Sequence, residues 1–140
     1  MWNEVGFSGT KIALMCETAL VAYLRDEKEG IPFPGLWDLP GGGREADENP
    51  VDCVIREVEE EFGLRLSAER ISGLTRYVSQ TPGGLDTYFC RADVSAEEIQ
   101  QIRFGSEGQR WSLMPIEMFI SHKRAIPHLQ HRLKALLAVS

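Results

Sequence analysis

The sequence predicts an α/β fold, a mixed β-sheet covered by helices on both faces, and three observations carry that reading. Apolar residues recur at a helical period between positions 51 and 62, segments with strand-like patterning and turn signals flank that stretch, and the C-terminal segment carries a second helical stripe. Strands interleaved with helices on this scale bury both faces of a sheet. With 140 residues and 43% hydrophobic content, the chain is expected to form one globular domain, 1–140, with a substantial core.

In chain order, Lys11 to Cys16 and Ala19 to Arg25 read as strands, with Glu17 and Thr18 as a bend or bulge between them. Asp26 to Gly35 holds two prolines and a charge cluster and reads as a loop into a short strand at Trp37. Leu39, Pro40, Gly41, Gly42 and Gly43 make a turn-forming run, in which glycines permit backbone shapes and close approaches that a Cβ would block. The helix that follows has its own start and stop. Asn49 can cap it, Pro50 suits the first helical position, Asp52 favours the positive end of the dipole, and Gly63 supplies a left-handed terminator. Val51, Ile55, Val58 and Phe62 form its expected core stripe over about three and a half turns.

Beyond that helix, Ile71 to Gln80 alternates as a strand, Pro82, Gly83 and Gly84 turn the chain, and Asp86 to Ala92 returns as its hairpin partner. Ser95 with Glu98 is patterned as a capping box for a short helix. Arg110 to Leu113 is a further strand and Pro115 opens another helical turn. Ile126, Leu129, Leu133, Leu136 and Leu137 give the terminal helix its apolar stripe. No internal repeat or low-complexity tract interrupts this order.

The chemistry concentrates on the first helix. At about 100° per residue, Glu60 and Glu61 lie roughly 60° to one side and 40° to the other of Glu57, while Glu59 points away. Carboxylates three and four residues apart destabilise a helix by roughly 0.2–0.5 kcal/mol per pair. A hard divalent cation, which prefers carboxylate oxygens and keeps positions open for phosphates, would offset that repulsion. A solvated acidic face is the alternative reading of the same three residues. The glycine run directly before the helix favours a site over a plain surface.

Gly42, five residues, Glu48, seven residues, then Arg56, Glu57, Val58, one residue, Glu60, Glu61, one residue, Gly63 and Leu64 match the Nudix box of the Nudix hydrolases at its defining positions. Trp37, Asp38, Leu39, Pro40 and Gly41 also resemble the approach strand of that family, so the likeness runs from Trp37 to Leu64. One departure is Asp47, where many members have glycine before the first Glu of the box. The resemblance implies an α/β/α sandwich, the Nudix fold, with the box helix on one side of a mixed sheet. It further implies hydrolysis of a nucleoside diphosphate linked to another group, with Mg²⁺ or Mn²⁺ bound at the box helix.

By the same resemblance, Glu57 and Glu61 would be the principal metal ligands, Glu60 a further ligand or base, and Gly42 would offer its carbonyl oxygen. Glu48, Arg56 and Gly63 would be structural members of the box, with Arg56 paired to Glu48 or Glu60. Glu107, in the run Ser106 to Trp111, is similar to the loop glutamate of MutT-like members and is a candidate general base; a surface glutamate before an edge strand is the other reading. Arg25 at a strand end could grip a phosphate in a bidentate fashion or pair with Asp26 or Glu27. Phe33 and Trp37 could stack on a base, although Trp37 and Trp111 are assigned to the core. Family members acting on ADP-ribose, dinucleoside polyphosphates or coenzyme A usually add a Pro, a Tyr or an upstream motif at set spacings, and Pro82 and Tyr77 do not fall at those offsets. The preferred activity is therefore that of a MutT-like nucleoside triphosphate pyrophosphohydrolase, with ADP-ribose or a nucleotide sugar as the alternative substrate. A non-catalytic nucleotide sensor on the same scaffold is the alternative of another class; sensors commonly lose box carboxylates, and all are retained here.

A formal charge of −6 lacks the basic footprint of a nucleic-acid polymer binder and leaves a small nucleotide as the expected partner. Around so acidic a helix a polyphosphate would be repelled without bound cations. Cys16, Cys53 and Cys90 are odd in number and widely spaced, as expected of buried thiols in a reducing compartment, and Cys53 lies one turn before Glu57. Glu4 stands where a signal peptide would be basic, and Glu17 and Thr18 break the first apolar stretch, so neither export nor a membrane span is expected and a cytoplasmic location follows by elimination. A homodimer is left open. His128 and His131 lack an evident third ligand and are assigned, with His122, Lys123, Arg124, Arg132 and Lys134, to a solvated basic face.

Overall fold

The computed structural model describes residues 6–139; Glu4 lies outside the described residues. Seven strands alternate with helices: β1 Phe7–Cys16, β2 Ala19–Leu24, β3 Trp37–Asp38, β4 Gly41–Gly43, α1 Pro50–Phe62, β5 Ser72–Tyr77, β6 Asp86–Asp93, α2 Ala96–Gln100, β7 Arg110–Pro115, α3 Ile116–Ser121 and α4 Pro127–Ala138. A 3₁₀ turn, Ala68–Arg70, was not foreseen. The sheet runs β3-β2-β1-β6-β5, with β4 also paired to β1 and β7 to β2. It is mixed because β1 and β6 run parallel from Phe7↔Asp86 to Met15↔Asp93, while the other pairs are antiparallel.

Strand periodicity divides the core into two layers. Ala13 and Met15 of β1 and Leu20 and Ala22 of β2 face Leu129, Leu133 and Leu136 of α4 and Phe119 of α3. Ile12, Leu14, Val21 and Tyr23, their neighbours along the same strands, face Val54, Val58 and Phe62 of α1. Successive side chains of a strand point to opposite faces, so two strands with continuous apolar runs hold both layers together. The expected α/β/α sandwich is what the chain forms.

Helix α1 starts and stops as its sequence dictates. The Asn49 side chain accepts from the Asp52 N–H, Pro50 occupies the first turn, and Gly63 (φ 69°) donates its N–H to the Glu59 carbonyl. The buried stripe is displaced from the expected one: Pro50, Cys53, Val54, Val58 and Phe62 are buried, whereas Val51 and Ile55 are half-buried. The helix rests on β1 and β4, with its Cys53 side turned inward and Val51 and Ile55 at the margin.

The glycine run is a strand, not a turn. Gly41, Gly42 and Gly43 pair antiparallel with Lys11, Thr10 and Gly9. A Cβ on Gly9 would overlap the Gly42 carbonyl, and one on Gly41, held at φ 119°, would overlap Thr10. The absence of side chains lets two backbones approach, and pairing with β4 from Gly9 and with β6 from Phe7 extends β1 four residues before Lys11. β5 stops at Tyr77 rather than Gln80, because Asp86 draws the Ser79 N–H and the Arg76 guanidinium into the hairpin end. Arg132 leaves the expected basic face: it donates to the Thr87 hydroxyl at 3.0 Å and stacks 4.3 Å from the Tyr77 ring centre. Trp37 is in the core, while Trp111 is only partly buried against the second layer.

Candidate active site

Residues from α1, β4, β1, β2 and the loop before β7 line one cavity of about 440 Å³. On α1 the contributors are Glu57, Glu60 and Glu61, and β4 supplies Gly41 to Gly43 as the opposite wall. Lys11 and Arg25 come from β1 and β2, and Glu107 from the loop. Glu57 and Glu61 share the pocket with the glycine strand, whereas Glu60 and Glu107 stand at its solvent-exposed rim.

Glu57 and Glu61 are one helical turn apart and turn toward β4. The Glu57 carboxylate packs so closely on Gly42 that a Cβ added there would lie 2.6 Å from its Oε2. Glu61 Oε1 accepts from the Gly41 N–H at 2.9 Å. Burial raises the Glu61 carboxyl to about 7, with Lys11 and the Gly41 N–H opposing the shift and Glu57 and Asp38 adding to it. Glu57 is also raised, again first by burial, with Arg56 pulling the other way. Glu60 is directed outward and is 56% exposed, its Oε1 accepting from Arg56 at 3.2 Å.

Arg56 is the joint of the motif. It donates Nε to Glu48 Oε2 at 2.7 Å and Nη2 to Glu48 Oε1 at 3.1 Å, a planar fork on a carboxylate. Its Nη2 also donates to the Gly43 carbonyl at 2.7 Å, and Nη1 reaches Glu57 at 3.0 Å. The fork holds Glu48 below the ordinary glutamate range. One side chain thus ties helix, glycine strand and the preceding loop together, reaching both Glu48 and Glu60, and Glu57 in addition. Cys53 Sγ lies 3.6 Å from the Gly42 carbonyl; burial raises its thiol, so it packs beneath the strand as an unreactive small residue.

Arg25 pairs with neither Asp26 nor Glu27. Its Nη1 meets Asp38 Oδ2 at 2.9 Å and its Nε donates to the Pro32 carbonyl. Asp38 also receives Lys11 Nζ at 3.1 Å, the Tyr23 hydroxyl at 2.9 Å and the Leu39 N–H at 2.7 Å. Burial pushes this carboxyl up, but these donors outweigh it and the net shift is downward. The Tyr23 hydroxyl is pushed strongly upward by burial and then by Asp38, so it stays a donor. Sequence reasoning missed Lys11, Tyr23 and Asp38 as a group. Their signal was a single charge inside each of two apolar strands, Lys11 in β1 and Asp38 in β3, which only topology joins.

Glu107 lies exposed on the rim, and among the described residues its side chain forms no hydrogen bond or ion pair. His128 stacks on Phe33 with ring centres 5.5 Å apart; among the described residues no three His, Cys, Asp or Glu side chains, those of the acidic helix included, are gathered closely enough to hold a metal ion as they stand.

The donor set suits a hard divalent cation. Glu61 is a half-buried carboxyl near like charges, whose ionised form its surroundings disfavour, and Glu57 is held against a cradle that any Cβ would fill. All-oxygen carboxylate and carbonyl donors are those that Mg²⁺ and Mn²⁺ take. A family model described as the NUDIX domain matches residues 11–136, which spans every element of the site from Lys11 to Glu107. The chain belongs to the NUDIX domain family. The reading of the sequence as a Nudix hydrolase on the Nudix fold therefore holds. An uncharacterized Nudix hydrolase from Pseudomonas aeruginosa is 30% identical over 136 residues, covering 91% of this chain and 74% of the relative. A nucleoside triphosphatase NudI from Escherichia fergusonii is 39% identical over 70 residues, covering 50% of this chain and 45% of the relative. Among solved structures, a MutT protein from Methanosarcina mazei Go1 superposes with a TM-score of 0.72 at 18% identity, covering 99% of this Nudix chain and 98% of that one. At that identity the likeness concerns the fold.

Proposed function

We propose that this Nudix-family chain, acting as one domain, is a metal-dependent pyrophosphohydrolase that cleaves a nucleoside 5′-triphosphate in the manner of MutT-like proteins. The observation that carries the reading is the shared cavity of Glu57, Glu60, Glu61 and Glu107 against the glycine strand, which Lys11 and Arg25 also line. Mg²⁺ or Mn²⁺, when bound, would neutralise phosphate charge and polarise the bond to be broken. Glu57 and Glu61, with the Gly42 carbonyl, would hold it, and Glu60 would complete the set. Arg56 keeps Glu57 and Glu60 in place and, through Gly43, fixes the distance from helix to strand.

In the reaction, a water oxygen forms a new bond to phosphorus as the bridging oxygen departs with its electron pair. The water proton passes to a carboxylate. Glu107 is preferred to Glu60 for this, because its side chain stands on the cavity rim without a hydrogen-bond partner among the described residues, whereas Glu60 Oε1 already accepts from Arg56 at 3.2 Å. Arg25, anchored by Asp38 and Pro32, presents its remaining N–H groups to the phosphate chain. The nucleoside triphosphatase relative supports the choice of a triphosphate, while ADP-ribose or a nucleotide sugar remains the competing substrate. The free thiols of Cys16, Cys53 and Cys90 suit a reducing, cytoplasmic setting.

The test is release of pyrophosphate and phosphate with Mg²⁺ from a panel of nucleoside triphosphates, ADP-ribose and nucleotide sugars, using the wild type and Glu57→Gln. Pyrophosphate from a triphosphate, abolished in the variant, is expected. A nucleotide that binds tightly and survives with Mg²⁺ would replace this reading with a sensor.

A further inference from the structure

The floor of the cavity contains a charge arrangement in which the hydrolytic reading gives a task to Arg25 but none to Lys11 or Asp38. Lys11 enters from β1 between Asp38 and the α1 carboxylates. Its ammonium has three hydrogens, and three acceptors lie at 3.1 Å: Asp38 Oδ2, the Leu39 carbonyl and the Gly41 carbonyl. Gly41 is bracketed by opposite charges, because its carbonyl faces Lys11 while its N–H donates to Glu61 at 2.9 Å. One residue of backbone therefore separates a cation from Glu61. Lys11 and Arg25 both converge on the same oxygen of Asp38, a side chain only 1% exposed.

We propose that Asp38 is a positioning residue that holds the Lys11 ammonium away from Glu61 and Glu57, so that those carboxylates stay open to a divalent cation. The inference rests on the metal-dependent reading above. A lysine side chain is long and flexible, and a cation freed from Asp38 has Glu61 as its nearest acidic neighbour across Gly41. An internal ion pair there would compete directly with metal. The buried anion prevents this by offering a stronger partner: its charge is shielded from water, its geometry is fixed by Tyr23 and the Leu39 N–H, and it accepts from two cations at once. Lys11 thus contributes positive potential to the cavity floor without an N–H free to capture Glu61.

The experiment is Mn²⁺ binding without nucleotide, followed by electron paramagnetic resonance, in the wild type, Asp38→Asn, and the double variant Asp38→Asn/Lys11→Met, with circular dichroism confirming the fold. Asp38→Asn should weaken Mn²⁺ at least about tenfold, as loss of an outer-shell partner does, and the added Lys11→Met should restore the affinity. An Asp38→Asn protein that binds Mn²⁺ like the wild type, or a folded double variant that does not recover, overturns the proposal. A wild type that fails to bind Mn²⁺ instead overturns the metal-dependent reading on which it rests. Should Asp38→Asn not fold, the wild type decides: a through-hydrogen-bond coupling from the Lys11 ammonium nitrogen to Asp38 Cγ should be seen with and without Mg²⁺. Such a coupling to Glu61 Cδ in its place would refute the idea.

Discussion

Replacing Gly42 by alanine isolates the position of one carboxylate. Gly42 lies in β4 with a backbone outside the left-handed region, so an L-residue is acceptable there as far as φ is concerned. The added Cβ, however, would stand 2.6 Å from Glu57 Oε2 and 2.7 Å from its Cδ, where ordinary contact begins at 3.4 Å. The carboxylate must therefore retreat by close to 1 Å. It can do so, because it ends a flexible side chain, and the fold should lose no more than about 1 kcal/mol. A displacement of about 1 Å in a reacting assembly costs on the order of 100-fold in rate. Turnover at saturating Mg²⁺ should fall by that factor while the unfolding midpoint in urea barely moves. A kcat within about threefold of the wild type would show that Glu57 carries no positional demand and that its contact with Gly42 is simple packing.

Three further outcomes follow from the same geometry. Glu107→Gln should lower kcat by about 10²-fold or more, the usual share of a general base, with Mn²⁺ affinity preserved; an unchanged kcat removes Glu107 from the mechanism. Burial holds Glu61 up to about 7, above its ordinary 4.5, so between those values the folded chain keeps a proton that the unfolded chain has lost. Its contribution to stability is therefore greatest below about 4.5 and declines as pH rises to 7, by at most about 3 kcal/mol. Thermal unfolding in EDTA should show a lower Tm at pH 8 than at pH 5, with Mg²⁺ closing the gap; a metal-free Tm that holds level or rises contradicts the buried-acid argument. Finally, Arg56→Lys keeps the charge but loses the planar fork on Glu48 and the reach to Gly43, and should cost about 1–3 kcal/mol in chemical denaturation; a loss below experimental error would show that the box does not depend on that joint.

What the sequence made legible was whatever is local. The cap at Asn49, the stop at Gly63, the capping box of Ser95 and Glu98 and the acids of one helical turn are all set by residues within a few positions of each other, and the structure has them. The pairing of Arg56 with Glu60, one helical turn on, was readable for the same reason, while that with Glu48 came from the family resemblance. Non-local contacts were not. Gly41 to Gly43 looks like a turn until Gly9 is known to lie opposite, and β1 could not be extended to Phe7 without its partners in β4 and β6. Asp38 looked like part of an approach strand because its cations stand far away in sequence at Lys11 and Arg25. Arg132 was placed on a polar face because the ring of Tyr77 that it covers belongs to another strand.

The parallel pairing of β1 with β6 has a consequence for the order of events on the ribosome. Phe7 waits for Asp86, and Met15 for Asp93. Translation at about 5–20 residues per second means that the acidic helix is synthesised seconds before the strand that completes the sheet beneath it. During that interval β1, apolar in its side chains, has an open edge of unpaired N–H and C=O groups, a template for pairing with another nascent chain. Residues 86 to 93 are thus the segment whose emergence ends the vulnerable period, and truncation before them should yield a chain that requires chaperones and forms inclusion bodies rather than a smaller folded protein.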